Sequence, residues 1–354
     1  MTQMSNDTRW TVDAARDWAA RTGWLVGCNF IPSTAINQLE MWQPETFDIA
    51  TIDRELGLAA GLGFNSVRVF LHDLLWAADP GGLCSRMEAF LAAATRQGIG
   101  TVFVLFDSVW NPMPEPGRQP APQPRKHNSG WVQSPGATVL ADQRQWGRLH
   151  DYVAGLIAHF ASDERIHGWD LVNEPDNMNR PLYTATELPN KREQALALVT
   201  AAFAWAREAR PSQPLTVGVW SGNWGAGAKV HPVAALSLAQ SDVISFHDYG
   251  DLEAVKRGVA ALEEQGRPLL CTEYMARSQG STFDPILGFF KGHQVGAYNW
   301  GLVAGKTRTQ FPWDSWEKDY PAEPVPWFHE VFRPDGTPYD AEEARYIRSL
   351  MGRS

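Results

Sequence analysis

Short runs of apolar and β-branched residues recur along the chain, and segments with a different pattern separate them. The eight runs span residues 24–31, 66–71, 100–106, 168–174, 214–220, 242–249, 268–274 and 296–303. Near-continuous apolar runs of this length are typical of parallel strands that are buried on both faces. We therefore expect eight parallel strands.

The segments between the runs carry apolar residues at helical spacing. Helices are predicted at 52–63, 84–98, 143–161, 191–209 and 252–266, with Gly or Pro at or just past several of their ends. A strand followed by a helix, repeated eight times, predicts an α/β fold of the (β/α)8 type, a TIM barrel, with strands from about residue 24 to 303. A doubly wound sheet is the alternative, but no Gly-rich GxGxxG motif follows the first run.

Two long segments outside this pattern follow the third and the eighth predicted strands. The segment 108–141 is rich in proline, and the segment 304–325 contains Trp313 and Trp316. Structureless segments of this length are unusual in a compact domain, and barrels place their chemistry on the side where such loops emerge. We expect both to form walls of a cleft, with a tolerated surface insertion as the alternative for the first. No repeat or linker divides the chain, so residues 1–354 are predicted to form one domain.

Composition and charge restrict the partners of such a barrel. Hydrophobic residues make up 44% of the 354 residues and charged residues 20%, which allows a large core. The net charge of −9 and the lack of a basic run argue against nucleic acid and anionic membranes as partners. The sequence shows neither a signal peptide nor an apolar stretch long enough to cross a bilayer, so we expect a cytoplasmic protein. It does not indicate an oligomeric state.

Polar side chains stand where the predicted strands end. In a barrel the carboxyl ends of the strands meet at one mouth, so these side chains point into a common site. Two of them are glutamates, because Glu174 ends the fourth run and Glu273 lies at the end of the seventh. The fourth and seventh strands nearly face each other across the mouth, so we expect the two carboxyl groups to approach one another.

Glycoside hydrolysis requires two carboxyl groups on opposite sides of a cleft. One group, protonated, donates its proton to the leaving oxygen, and the other, ionised, attacks the anomeric carbon or activates water. The two pKa values must differ for this division of labour. Arg68 near Glu273 would favour the carboxylate there, whereas burial and the charge of Glu273 would favour the neutral form of Glu174.

Five motifs occur in the strand order of a known group of enzymes. They are Asn173-Glu174-Pro175 at the fourth strand, His247-Asp248-Tyr249 at the sixth, Glu273-Tyr274 at the seventh, Arg68 at the second and Trp300 at the eighth. Together they resemble the clan-A retaining glycoside hydrolases, and the closest resemblance is to the cellulase and mannanase family, glycoside hydrolase family five. The resemblance covers the whole predicted barrel, from about Trp24 to Val303.

The resemblance implies a role for each matching residue. Glu174 would be the general acid and base, and Glu273 would be the nucleophile that forms a glycosyl-enzyme. The other matches would bind substrate or orient the glutamates: Asn173 at the sugar 2-hydroxyl, Arg68 and Tyr249 at Glu273, His247 near Glu174, and Trp300 under the sugar before the scissile bond. Retaining chemistry implies carboxyl groups about 5–5.5 Å apart and no cofactor.

The sequence departs from the family pattern at the third strand. Many members place a histidine there, whereas this chain has Asp107 and Trp110, and His72 follows the second strand instead. Asp107 and His72 are candidates for contacts with sugar hydroxyls or for loop caps. Six tryptophans are candidates for stacking on pyranose faces, namely Trp42, Trp110, Trp131, Trp224, Trp313 and Trp316.

Other functions are weighed against this interpretation. A metal-dependent hydrolase would draw ligands from His72, Asp107, His247 and Asp248, but the first strand lacks an HxH motif and no lysine ends the fourth, so no metal site is predicted. A carbohydrate-binding barrel without catalysis and a transglycosylase with the same glutamates are the alternatives. The expected substrate is a β-linked oligosaccharide of gluco, manno or xylo type, and the long loops favour exo-action.

Overall fold

Eight parallel strands form the centre of the molecule, as the apolar runs predicted. The computed structural model describes residues 9–225 and 228–353. The strands are β1 (Val26–Asn29), β2 (Ser66–Phe70), β3 (Gly100–Asp107), β4 (Ile166–Asn173), β5 (Leu215–Thr216), β6 (Ile244–His247), β7 (Leu269–Tyr274) and β8 (Gly296–Trp300). Each lies within or across one predicted run, which confirms the (β/α)8 barrel.

The strands close into a ring through one short pairing. Their order is β5-β4-β3-β2-β1-β8-β7-β6, and Val219, just after β5, pairs with Phe246 of β6. The predicted fifth strand covered 214–220, but only Leu215 and Thr216 pair with β4. The residues that follow Thr216 in this run leave β4 and approach β6, so β5 is shorter than the apolar run that predicted it.

Twelve α-helices surround the barrel or cover its ends in the described part of the chain. They are α1 (Val12–Thr22), α2 (Gln38–Trp42), α3 (Ile49–Leu62), α4 (Asp73–Ala78), α5 (Pro80–Arg96), α6 (Ala137–Ala141), α7 (Gly147–His159), α8 (Lys191–Glu208), α9 (Pro232–Gln240), α10 (Leu252–Glu263), α11 (Phe283–His293) and α12 (Ala341–Leu350). The five predicted helices correspond to α3, α5, α7, α8 and α10, with ends displaced by a few residues.

Polar caps and glycine determine where several of these helices begin and end. Asp48 Oδ1 accepts a hydrogen bond from the Thr51 N–H at the start of α3, and Asp251 does the same for Ala254 in α10. An aspartate in this position satisfies an N–H of the first turn and complements the helix dipole. Helix α3 ends at Gly63, whose φ of 91° is a conformation that glycine adopts without strain.

The core lies between the strands and the surrounding helices. Phe103 of β3 stacks on Trp169 of β4 with ring centroids 5.8 Å apart, and Phe90 of α5 packs 6.3 Å from Phe103. All three rings are fully buried. Such pairs stabilise a fold by about 0.5–1.5 kcal/mol beyond the burial of their area. No helix in the described ranges is long and apolar enough to cross a membrane.

The two long segments predicted as cleft walls dock on each other. We call residues 108–136 the β3 loop and residues 301–340 the β8 segment. The His127 N–H donates to Ser315 Oγ, the Trp316 indole N–H donates to the His127 carbonyl, and the Asn128 N–H donates to the Thr307 carbonyl. The two segments therefore form one continuous wall instead of two independent loops.

Candidate active site

A cavity of about 710 Å³ opens at the carboxyl ends of the strands. Nine of the twelve residues predicted for the site line it: Asp107, Trp110, Asn173, Glu174, Trp224, His247, Tyr249, Glu273 and Trp300. Arg68 is fully buried and reaches this group through hydrogen bonds. We call this space the active-site cavity.

The two glutamates meet across a histidine. His247 Nδ1 lies 2.8 Å from Glu174 Oε1 and 3.5 Å from Glu273 Oε2. One oxygen of each carboxyl group and a nitrogen of His247 all lie within 4.8 Å of one another. This arrangement brings His247 next to Glu174, as expected, and the two carboxyl groups face the same part of the cavity.

The backbone at Glu174 takes an uncommon conformation. Strand β4 ends at Asn173, and Glu174 follows with a φ of 43°, in the left-handed region. For a residue other than glycine this backbone conformation costs about 1–3 kcal/mol of conformational energy, and strain of this kind concentrates at functional sites. The turn leaves Glu174 lining the cavity with Oε2 accepting from Asn177 Nδ2 at 2.7 Å.

Arg68 organises the floor of the site. Its guanidinium donates to Asp170 Oδ2 at 2.8 Å, to Glu273 Oε1 at 3.1 Å and to Asn173 Oδ1 at 2.7 Å. Asn29 accepts a further hydrogen bond. The alternative pairing of Arg68 with Glu55 or Asp73, which would have made it purely structural, does not occur. A fully buried arginine with these partners fixes the orientation of a carboxylate and a carboxamide at once.

Burial dominates the ionisation of both glutamates. It raises the pKa of Glu174 to about 7 and the pKa of Glu273 to about 7. The hydrogen bond from Asn177 and the charge of Arg68 oppose the rise in pKa at Glu174. At Glu273 the rise is opposed by His247, by Arg68 and by a hydrogen bond from the Tyr249 hydroxyl that is 2.9 Å long. Burial acts in the same direction on both glutamates, so a separation of their two pKa values depends on the charges and hydrogen bonds that differ between them.

Asp107 stands where many family members carry a histidine. Its Oδ1 accepts from Asn173 Nδ2 at 2.9 Å, and its Oδ2 accepts from the Trp131 indole at 2.6 Å and from Gln38. Burial raises the pKa of Asp107 to about 6. Asn173 is thus held between Arg68 and Asp107, which fixes which end of its amide is oxygen and which is nitrogen.

Aromatic rings supply the apolar surface of the cavity. Trp300 packs edge to face on Phe70 and on Trp131, with centroids 5.7 Å apart in both pairs. Trp110 has a φ of 69°. Its backbone N–H donates to Asn179 Oδ1, and its backbone carbonyl accepts from Gln133 Nε2. Trp224 packs near Gly258 of α10, where a Cβ would lie 3.7 Å from the indole ring. Flat rings in fixed positions suit the C–H faces of sugars.

Trp42 and His72 do not reach the cavity, against the expectation from the sequence. Trp42 is fully buried in the core, stacked on Phe47 at 5.8 Å, and its indole N–H donates to the Phe70 carbonyl. His72 is fully buried at the start of α4, where Nδ1 accepts from the Leu74 N–H. His72 therefore caps a loop, which was the alternative prediction for it, and Trp42 packs in the core.

Several cavity residues were missed because they come from loops. Asn177 binds Glu174, and His127 and His329 line the same cavity from the β3 loop and the β8 segment. Asp170, the buried partner of Arg68, precedes the predicted strand end at Glu174 by four positions. Asp170 could have been predicted from the sequence, because an acidic residue inside a buried apolar run needs a partner. No sequence pattern distinguishes His127 and His329 as cavity residues.

The residues named for the metal alternative do not cluster. In the part of the chain that the structure describes, the group of His, Cys, Asp or Glu residues with donor atoms close enough for one ion is Glu174, His247 and Glu273. His72, Asp107 and Asp248 do not belong to it. Arg68 already supplies a positive charge to Glu273, which disfavours a cation at the same carboxylate.

Comparisons with known proteins agree with this geometry. Residues 32–306 match the model of the cellulase family, glycosyl hydrolase family 5. A search of the curated proteins gave no match.

Similar solved structures include a β-mannanase from the blue mussel Mytilus edulis, with 16% identity, a TM-score of 0.58, and 94% of this chain and 92% of that one covered. An exo-β-1,4-mannosidase from Opitutaceae bacterium strain TAV5 has 18% identity, a TM-score of 0.58, and coverage of 93% and 59%. A family 5 protein from Streptomyces cattleya in complex with Manβ1-4GlcNAc has 13% identity, a TM-score of 0.59, and coverage of 93% and 80%.

Proposed function

Because the chain belongs to glycosyl hydrolase family 5 and is a glycoside hydrolase, we propose that it cleaves β-glycosidic bonds with retention through Glu174 and Glu273. The supporting observation is that one oxygen of each carboxyl group lies within 4.8 Å of the other, in the active-site cavity. That separation suits direct attack by a carboxylate, whereas an inverting enzyme needs a wider gap for a water molecule.

In the first step, Glu174 protonates the leaving oxygen while Glu273 attacks the anomeric carbon. The bond to the leaving group breaks as the bond to Glu273 forms, which gives a glycosyl-enzyme. Arg68 and Tyr249 hold the Glu273 carboxylate by hydrogen bonds from both of its sides. In the second step, Glu174 removes a proton from water, which attacks the same carbon and releases Glu273 as a carboxylate.

Asn173 is proposed to bind the sugar 2-hydroxyl. Its Oδ1 is occupied by Arg68, and one hydrogen of Nδ2 is directed at Asp107. The second hydrogen of Nδ2 meets no acceptor among residues 9–225 and 228–353, and Asn173 lines the cavity. A hydrogen bond from it to the 2-hydroxyl strengthens in the transition state, so it contributes to the rate more than to substrate binding.

The substrate we propose is a β-linked oligosaccharide, with mannose as the first sugar to test. Gluco- and xylo-configured substrates belong in the same panel. Mannose comes first because similar structures are named as a β-mannanase and an exo-β-1,4-mannosidase. A cytoplasmic location stays a prediction from the sequence.

Exo-action is proposed from the wall around the cavity. The β3 loop and the β8 segment dock through His127, Asn128 and Trp316, and both contribute residues to the cavity lining. A wall of this kind favours binding of a chain end over binding along the middle of a polymer. A rapid fall in the viscosity of a polymeric β-mannan would contradict exo-action.

The mechanism is tested with Glu174→Gln and Glu273→Gln, assayed on an aryl β-glycoside and on an oligosaccharide of the same sugar. Glu273→Gln should lose both activities. Glu174→Gln should lose the oligosaccharide far more than the aryl glycoside, because a good leaving group does not need the proton. A 2-fluoro glycoside should attach covalently to Glu273, as seen by mass spectrometry. Equal activity of wild type and Glu273→Gln would refute the assignment, and products longer than the substrate would indicate transglycosylation.

A further inference from the structure

Glu174 begins a tight turn that brings a later residue of the same loop back onto its carboxyl group. The turn comprises Glu174, Pro175, Asp176 and Asn177, and the Asn177 N–H donates to the Glu174 carbonyl at 3.0 Å. Proline suits the second position of such a turn, because its ring fixes the φ that the turn requires. The side chain of Asn177 then reaches the cavity, where Nδ2 donates to Glu174 Oε2 at 2.7 Å.

The orientation of the Asn177 amide is fixed by a second hydrogen bond. Its Oδ1 accepts from the Asn179 N–H at 2.9 Å, so the NH2 group is the end that faces Glu174. The other carboxyl oxygen, Glu174 Oε1, lies 2.8 Å from His247 Nδ1. The two oxygens of Glu174 are therefore held by two different elements, a loop and strand β6.

Asn179 anchors this loop to the β3 loop. Its side chain accepts from the Trp110 N–H at 2.7 Å and donates to Glu187 Oε2 at 2.9 Å. Glu187 also pairs with Lys191 Nζ at 2.6 Å, and both of these side chains are buried. A buried ion pair with further hydrogen bonds is a fixed point of attachment, so Asn177 is carried by a rigid support.

A donor at one oxygen acts differently on the two forms of Glu174. A hydrogen bond from an amide to a carboxylate is roughly twice as strong as one to a neutral carboxyl group, so Asn177 favours the ionised form. Burial raises the pKa of Glu174 to about 7, and the hydrogen bond from Asn177 opposes this rise. In the protonated form an amide N–H favours the carbonyl oxygen, which leaves the proton on Oε1.

We propose that Asn177 is a positioning residue that prepares Glu174 for both of its roles. The proposal rests on the function proposed above, in which Glu174 is an acid in the first step and a base in the second. The hydrogen bond to Oε2 leaves Oε1 to carry the proton of the first step. The same bond favours the carboxylate that removes a proton from water in the second step.

Other charged or titratable groups also surround Glu174 and influence its ionisation. They are His247, Tyr249, Glu273, Arg68, Asp107, Asp176 and Lys191. The variants that test Asn177 leave all of these groups in place, so a change in the titration of Glu174 is assigned to the amide.

Three variants separate the donor from the turn. Asn177→Asp keeps an acceptor for the Asn179 N–H and removes the donor to Glu174, whereas Asn177→Ala removes both. Asn177 is half-buried on a loop, so neither change disturbs the core. Asn223→Ala is the matched control, because Asn223 also lines the cavity and its Oδ1 accepts from the Gly225 N–H at 3.0 Å in a similar turn. Among residues 9–225 and 228–353 its side chain bonds to no carboxyl group.

The measurements are the pH profile of kcat/KM for β-1,4-mannotriose and the ¹³C NMR titration of the Glu174 carboxyl group. The NMR signal is assigned by its loss in Glu174→Gln, and this titration needs no turnover. The basic limb of kcat/KM reports the acid of the free enzyme. We expect Asn177→Ala to move this limb and the NMR midpoint of Glu174 upward by about one pH unit. Asn177→Asp should move both at least as far, because it adds a like charge, and Asn223→Ala should move neither.

The outcomes distinguish the role of Asn177 from the proposed function. If the protein cleaves mannotriose but the limb and the midpoint in Asn177→Ala equal those in Asn223→Ala, the role of Asn177 is overturned and the glycosidase stands. A shift in Asn177→Ala without one in Asn177→Asp would also overturn it, because the turn and not the donor would then be responsible. A moved NMR midpoint in a protein that cleaves no glycoside would refute the proposed function and support the control of Glu174 by Asn177.

Discussion

Replacing Asp107 by Asn tests how the active site orients Asn173. In the wild type, Arg68 Nη2 donates to Asn173 Oδ1 at 2.7 Å and Asn173 Nδ2 donates to Asp107 Oδ1 at 2.9 Å. The Trp131 indole, 2.6 Å from Asp107 Oδ2, needs an acceptor at the other oxygen. An asparagine has one acceptor oxygen, so its NH2 group must oppose the NH2 group of Asn173 when the oxygen faces Trp131.

The size of the effect follows from the bond that is lost. A hydrogen bond to a charged group contributes about 1.5–3 kcal/mol, and a buried donor without an acceptor loses its hydration as well. If Asn173 binds the 2-hydroxyl in the transition state, this energy is lost from kcat/KM. At 1.36 kcal/mol per factor of ten, Asp107→Asn should lower kcat/KM by about 10- to 150-fold.

A double-mutant cycle shows whether Asp107 acts through Asn173. We expect Asn173→Ala to be impaired, and Asp107→Asn to add little to it, because the group that Asp107 orients is already gone. Gln38→Leu is the matched control, since it removes a bond to Asp107 without opposing the amide of Asn173, and Gln38 does not line the cavity. Losses that multiply in the double variant would refute the reasoning and indicate that Asp107 contacts the sugar itself.

Three further predictions follow from the buried charges. Tyr249→Phe removes a hydrogen bond that lowers the pKa of Glu273, so the acid limb of the kcat/KM profile should move to higher pH; an unmoved limb would contradict this. Burial raises the pKa of Glu330 from 4.5 to about 8, so the folded state holds a proton that the unfolded state releases, and stability is lost as pH rises through this window. Glu330→Gln should flatten the fall of Tm between those pH values, and a slope equal to that of the wild type would count against it. Lys191→Met removes the cation paired with the buried Glu187 carboxylate and should lower the free energy of unfolding by about 3–5 kcal/mol. The control Lys256→Met breaks the exposed pair with Glu253 and should change the free energy of unfolding by less than about 0.5 kcal/mol. Similar denaturation curves for the two variants would exclude a stabilising role for the buried pair.

The barrel was predictable because its strands carry their burial in the sequence. Parallel strands covered on both faces need apolar residues at nearly every position, so all eight appear as runs. The same property made β5 look too long, because the residues after Thr216 stay buried when they leave β4 for β6. The hydrophobic pattern therefore predicts which residues are buried, but it does not predict which of them pair with a neighbouring strand.

Site residues were predictable where a strand end delivers them and not elsewhere. Glu174, His247 and Glu273 follow from strand order alone, because barrel closure brings those ends together. His127 reaches the cavity only because the β3 loop docks on the β8 segment, a contact between residues 188 positions apart. Trp42 failed as a prediction for the opposite reason, since no local pattern distinguishes a tryptophan that packs in the core from one that faces a cleft.

The ionisation of the site depends on a sum of charges that a list of residues does not contain. Asp170, Glu174 and Glu273 are buried around one guanidinium, that of Arg68, and burial lowers the pKa of His247 to about 4. Asp170 and Glu273 each form an ion pair with this guanidinium and Glu174 does not, so the charged form of Glu174 receives the least compensation from Arg68 for its burial. Asp170 accepts hydrogen bonds from two N–H groups of Arg68, which favour its charged form, while burial raises its pKa. We therefore expect the protonated acid of the proposed first step to depend on how many carboxyl groups are buried around one arginine, and a second cation placed beside them should lower the pKa of Glu174.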